Sequence, residues 1–137
     1  MPQKIFLASY DYGLSRAEYK PGRTWKVEHL VKDLQVSCLA ADPSDPQVAY
    51  AGSRNRGIWL SSDCGRTWTA SGLDNQIVKS LAVSPHDPNT IYAGTKPALM
   101  FKSTDGGRTW RELENFRRIP GRWWWLSPAE PPDIRPY

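Results

Sequence analysis

The chain has 137 residues, enough for one ordinary domain and short for two. Its 12 Pro, 10 Gly and 7 Trp favour many short strands joined by turns and leave little room for helix. A net charge of +4, with Lys and Arg interleaved among Asp and Glu, reads as a solvated surface and argues against a nucleic-acid partner.

Residues 1–9 carry one Lys and an apolar run that ends at Tyr10-Asp11-Tyr12-Gly13, too short for a signal peptide or a membrane helix. The expected compartment is the cytoplasm, with no membrane partner. Residues 1–32 then read as an incomplete unit. Its Gly22-Arg23-Thr24-Trp25 matches Gly65-Arg66-Thr67-Trp68 at an offset of 43, and Lys20 stands where the later copy has Asp63. Ala8-Ser9 and Gly13-Leu14 answer to Gly52-Ser53 and Gly57-Ile58, so this unit lacks its first strand.

Residues 33–74 form a complete unit and residues 75–116 repeat it at a period of 42. Ser61-Ser62-Asp63-Cys64-Gly65-Arg66-Thr67-Trp68 returns as Ser103-Thr104-Asp105-Gly106-Gly107-Arg108-Thr109-Trp110. Leu39-Ala40, Pro43, Asp45-Pro46 and Tyr50-Ala51-Gly52 return as Leu81-Ala82, Pro85, Asp87-Pro88 and Tyr92-Ala93-Gly94. Alternation of apolar and polar residues predicts strands near 36–41, 48–53, 57–62 and 67–71, and near 78–84, 90–95, 99–104 and 109–113. Asp-Pro turns join the first and second strands, where Pro fixes φ and Asp bonds back to its own backbone. Each unit is a four-stranded meander.

The remaining residues, 117–137, form a Trp/Pro-rich extension. In a strand Trp123 and Trp125 would share a face, making a stacking platform for a ligand or a surface packed on a neighbouring unit. Cys38 and Cys64 lie far apart with no CxxC, and the only histidines are His29 and His86, so neither a metal site nor a disulfide framework is indicated. No cofactor is expected.

The pattern Ser-x-Asp-x-Gly-x-Thr-Trp resembles the Asp box, or BNR repeat, which closes the hairpin between the third and fourth strands of β-propeller blades. The resemblance covers nearly all of residues 4–114. It implies an all-β partial propeller of about three four-stranded antiparallel blades in the sialidase/sortilin-like superfamily, similar to bacterial proteins described as BNR or glycosyl hydrolase repeat-containing. Such boxes occur in sialidases, sortilin-type receptors, xyloglucan-cleaving hydrolases and a photosystem II stability factor, so they speak to fold before activity. In each box the Asp can gather backbone N–H groups, the Gly can take a positive φ, the Thr adds a hydroxyl, and the Trp covers the turn. Structural roles are therefore expected for Ser61, Asp63, Gly65, Thr67 and Trp68, and for Ser103, Asp105, Gly107, Thr109 and Trp110. On this reading the Asp accepts bonds from buried N–H groups, and its loss costs about 1–3 kcal/mol.

Phe116-Arg117-Arg118-Ile119-Pro120 is similar to the Phe-Arg-Ile-Pro motif that supplies a carboxylate-binding arginine in sialidases, which makes Arg118 a candidate. Here the motif has an extra Arg and follows the boxes, whereas in sialidases it precedes them. No pair of carboxylates stands out as a glycosidase acid and base, and no nucleophile motif is present. The expectation is a non-catalytic scaffold for protein or carbohydrate interaction, a portion of a longer propeller or a homo-oligomer built through open sheet edges. The alternative is a fragment of a glycoside hydrolase.

Overall fold

The computed structural model describes residues 4–11 and 13–122. They form three antiparallel meander sheets. The first contains β1 (Ile5–Tyr10), β2 (Gly13–Lys20) and β3 (Thr24–Leu30) in the order β1-β2-β3. The second contains β4 (Val36–Ala41), β5 (Ala49–Ser53), β6 (Ile58–Ser61) and β7 (Thr69–Ala70), and the third β8 (Ile77–Val83), β9 (Ile91–Lys96), β10 (Met100–Ser103) and β11 (Arg111–Glu112). A one-turn helix α1 (Glu114–Arg117) follows.

The sequence period is also the period of the strand register. Leu39 lies opposite Ala51 and Ala40 opposite Tyr50, while Leu81 lies opposite Ala93 and Ala82 opposite Tyr92. Even the irregularity recurs, between Val36 and Cys38 in one sheet and between Val78 and Ser80 in the other. The inner strands match their predicted spans closely. The outer strands do not: β7 and β11 pair over two residues each, because Thr67 and Thr109 have already committed their N–H groups to the preceding Asp side chains.

Alternation decides what each sheet buries. On β5, Tyr50 packs toward the third sheet with Ile58, Val78, Ile91 and Ala93. Its neighbour Ala51 packs toward the first sheet with Leu14, Leu34 and Val36. The middle sheet is thus covered on both faces and β5 is buried throughout. The two end sheets each keep an open face: Phe6, Val27 and Trp25 are 63%, 56% and 44% exposed on one, and Tyr92 is 36% exposed on the other.

Ile58 is fully buried between the second and third sheets, so Ile58→Ala is expected to cost about 2–5 kcal/mol in urea unfolding through lost burial and an unfilled cavity. Tyr50→Phe removes only the hydroxyl that donates to the Gly106 carbonyl at 3.2 Å and should cost about 1 kcal/mol. Equal losses in the two variants would contradict this division of the core.

Candidate functional site

The two repeat turns are each closed by a dense set of side-chain hydrogen bonds. Asp63 Oδ1 accepts from the N–H groups of Arg66 (3.0 Å) and Thr67 (2.9 Å) and from the Ser61 hydroxyl (2.8 Å), while Oδ2 accepts from the Thr67 hydroxyl (2.5 Å). Asp105 repeats this with Thr109 N–H (2.9 Å), the Ser103 hydroxyl (2.8 Å) and the Thr109 hydroxyl (2.5 Å). Ser61 and Ser103 are donors to the carboxylate and acceptors as well, taking the buried N–H of Gly65 and of Gly107 at 2.9 Å. The indole N–H of Trp68 and of Trp110 closes each turn onto the Gly65 and Gly107 carbonyls at 3.1 Å.

Each turn is docked at both ends. Within its own sheet, Cys64 N–H donates to the Gln47 carbonyl and Gly106 N–H to the Asn89 carbonyl, fastening the turn to the Asp-Pro connection. Across the sheet boundary, Gly107 accepts from the Ser71 hydroxyl (2.7 Å), and Trp110 donates a second bond to the Ser71 carbonyl (2.6 Å). Gly107 has φ +87°, and a Cβ there would lie 2.7 Å from the Ser71 hydroxyl oxygen and 3.3 Å from the Tyr50 ring. Gly65, at φ +77°, meets Leu7 in the same way at 2.6 Å. The turns therefore join neighbouring sheets as well as their own strands.

The first sheet closes its outer hairpin differently. With Lys20 in place of an Asp, no carboxylate gathers the turn, and the ladder runs on to Lys20 opposite Thr24, so that β3 pairs over seven residues. Its polar link to the second sheet runs through a buried charged side chain. Arg16, 1% exposed, donates through Nε to the Cys64 carbonyl (2.8 Å) and through Nη1 to Glu18 (2.9 Å). Lys20 also bonds Glu18 at 3.0 Å, and Glu28 lies 3.8 Å from Arg16. This cluster was not anticipated from the sequence; its one signal is that Leu14, Arg16 and Glu18 share a strand face.

Between β7 and the Asp105 turn lies a groove of about 600 Å³, lined by Leu60, Ser71, Gly72, Asn89, Thr104 and Arg108 among others. It presents the Asn89 amide and the Arg108 guanidinium along a sheet boundary. The other candidates do not join it. Arg118 is 75% exposed beside α1, 3.9 Å from Glu114, and Arg117 is committed to Glu112 through two bonds of 2.8 Å. Trp123 and Trp125 lie outside the described residues. Among the described residues no group of three or more His, Cys, Asp or Glu side chains is placed to hold a metal ion, and no helix is long and apolar enough to cross a membrane.

The N–H groups that Asp63 holds, those of Arg66 and Thr67, are exposed; the buried donor, the Gly65 N–H, is held by the Ser61 hydroxyl oxygen. This revises the expected cost of losing the carboxylate. Ser61→Ala should destabilise by about 1–3 kcal/mol by stranding a buried N–H, and Asp63→Ala by about 1 kcal/mol. The reverse order in denaturant melts would refute this assignment. Donation from the Thr67 and Thr109 hydroxyls, then from their N–H groups, lowers the pKa of Asp63 and of Asp105 from 3.8 to about 2. A depressed carboxylate pKa stabilises the fold above the unfolded value and loses that contribution as the group protonates. Stability should therefore fall as pH drops from about 4 to about 2, and Asp63→Asn with Asp105→Asn should flatten that slope in acid titrations followed by circular dichroism.

No family model matches the chain, and no curated protein matches it in sequence. Solved structures do. A GH74 xyloglucanase from Xanthomonas campestris superposes with a TM-score of 0.60 at 21% identity, over 80% of this chain and 21% of the enzyme. An ancestral GH74 enzyme gives 0.65 at 19% identity, over 80% of this chain and 16% of that one. YCF48 bound to D1 peptide gives 0.58 at 15% identity, over 77% of this chain and 35% of YCF48. The chain thus spans about a sixth to a third of the length of these structures. At such identities the likeness speaks to fold. With its three meander sheets, the chain is an all-β protein and a partial β-propeller, each sheet a blade.

Proposed function

We propose that the chain is an Asp-box (BNR) propeller segment of the sialidase/sortilin-like superfamily, acting as a non-catalytic scaffold for protein or carbohydrate interaction, with further blades closing its open sides. The observation that carries this reading is the commitment of the repeat carboxylates. A glycosidase needs one carboxyl that holds a proton near neutral pH, and a second about 5 Å or about 6.5–9.5 Å away. Asp63 and Asp105 are held at about pKa 2, and each spends both its oxygens on its own turn. They suit a structural role and not proton transfer.

The groove beside the Asp105 turn is the favoured ligand site, because the exposed side chains of Asn89 and Arg108 line it and can meet the amides and carboxylates of an extended peptide. The YCF48 structure with D1 peptide supports a peptide over a sugar as the first ligand to try. The likeness to GH74 enzymes supports the second reading, a glycoside hydrolase fragment.

Titrating an array of extended peptides against intrinsic Trp fluorescence should find binders that weaken at least about tenfold in Asn89→Ala or Arg108→Ala, on the order of 1.4 kcal/mol. Xyloglucan and aryl glycosides should release no sugar above buffer. Turnover abolished by Asp105→Asn would replace the scaffold reading with the hydrolase one.

A further inference from the structure

The two blade junctions are copies of one arrangement, so each shows what the other leaves out. Leu7 packs on Gly65 at the first, and Tyr50 packs on Gly107 at the second. Arg16 lies opposite Leu7 and Leu60 opposite Tyr50, so the register puts Arg16 and Leu60 at the same position in their sheets. The turns that meet them correspond at an offset of 42, Cys64 to Gly106 and Arg66 to Arg108.

At the first junction this position is filled by charge. The buried Arg16 guanidinium donates to the Cys64 carbonyl. Beside it, the Glu18 carboxylate accepts from Arg16 Nη1 at 2.9 Å and from Lys20 at 3.0 Å, and it lies 3.8 Å from Arg66 Nη2. The arginine of the Asp63 turn therefore faces a carboxylate supplied by the blade before it.

At the second junction only half of that set is replaced. The Tyr50 hydroxyl donates to the Gly106 carbonyl, the counterpart of Cys64, so an apolar Leu60 can stand where Arg16 stood. Glu18 lies two residues after Arg16, and two residues after Leu60 stands Ser62, which brings no charge. Asp105 spends both its oxygens on its own turn. Among the described residues, no carboxylate forms a salt bridge with Arg108. Where the first junction holds Arg16 and Glu18, the second has the groove of about 600 Å³, lined by Leu60, Gly106 and the exposed Arg108.

We propose that this groove binds the carboxylate of a glutamate side chain in an acidic, extended peptide segment, with Arg108 standing toward it as Arg66 stands toward Glu18. A guanidinium suits this ligand because its planar fork of N–H groups matches the two oxygens of a carboxylate. The Asn89 amide supplies a second, neutral donor, and Leu60 and Ala70 offer an apolar wall to the methylene stem. The peptide thus brings from outside the charge that β2 brings from within at the first junction. The inference rests on the peptide-binding reading of this groove given above and narrows it to acidic ligands.

Two blocked peptides, titrated into the full chain and followed by Trp fluorescence, test this: acetyl-Thr-Val-Glu-Val-Thr-amide and the same peptide with Gln at its centre. Neither carries a terminal carboxylate. The Glu peptide should bind at least about fivefold more tightly, with a preference that shrinks as NaCl rises, as befits an ion pair at a partly exposed site. Arg108→Gln should abolish the preference and Arg108→Lys should restore part of it. Arg66→Gln, at the junction that Glu18 already fills, should leave it intact. Arg108→Glu should reverse the choice, so that a Lys-centred peptide binds more tightly than the Glu one, a result that loss of fold cannot give. Equal binding of the Glu and Gln peptides, binding of neither, or a preference that survives Arg108→Gln would overturn this inference. The peptide groove itself would stand or fall separately, on the neutral peptides of the array.

Discussion

The fold depends on a hydroxyl oxygen that bonds in two directions. Ser61, and Ser103 one repeat later, donates to a carboxylate two residues ahead and accepts a buried glycine N–H four residues ahead. That holds the hairpin in a left-handed path that exposes a glycine with no side chain to the blade before it. Leu7 and Tyr50 can then approach to van der Waals contact, and the two apolar cores form between blades. Small sheets with one buried face are marginal alone; here the turn supplies the contact that lets one blade settle on the next.

The two blade junctions solve the same packing problem with different chemistry. Between the second and third blades the turn is held by neutral donors, the Ser71 and Tyr50 hydroxyls and the Trp110 indole. Between the first and second, a buried guanidinium takes the Cys64 carbonyl and is balanced by Glu18, with Glu28 nearby. A buried ion pair contributes little net stability once desolvation is counted, and removing one partner is costly. The first junction therefore adds to its apolar core a charged pair whose members must be kept or replaced together.

Much of this was legible in the sequence because repetition amplifies weak signals. One Asp-Pro turn says little, but Asp45-Pro46 and Asp87-Pro88 at a fixed period locate the strands on either side. The repeat fails where tertiary context decides. Only the strand face it shares with Leu14 separates Arg16 from the other arginines of this chain, and the carbonyl it bonds lies 48 residues away. Helix α1 is one turn long and leaves no periodic trace. The brevity of β7 and β11 was hidden because Thr67-Trp68 and Thr109-Trp110 suit a strand by propensity, while the Asp side chains claim their backbone first.

That brevity bears on solubility. An outer strand of two paired residues leaves too little free backbone to template another chain, so each carboxylate lock also shortens the edge most open to amyloid-like growth. The first blade, without the lock, presents seven residues of β3 along its rim. There the protection falls to side chains: Lys26 and Glu28, joined at 2.6 Å, place charge in the middle of the strand, where an incoming β-strand would have to bury it.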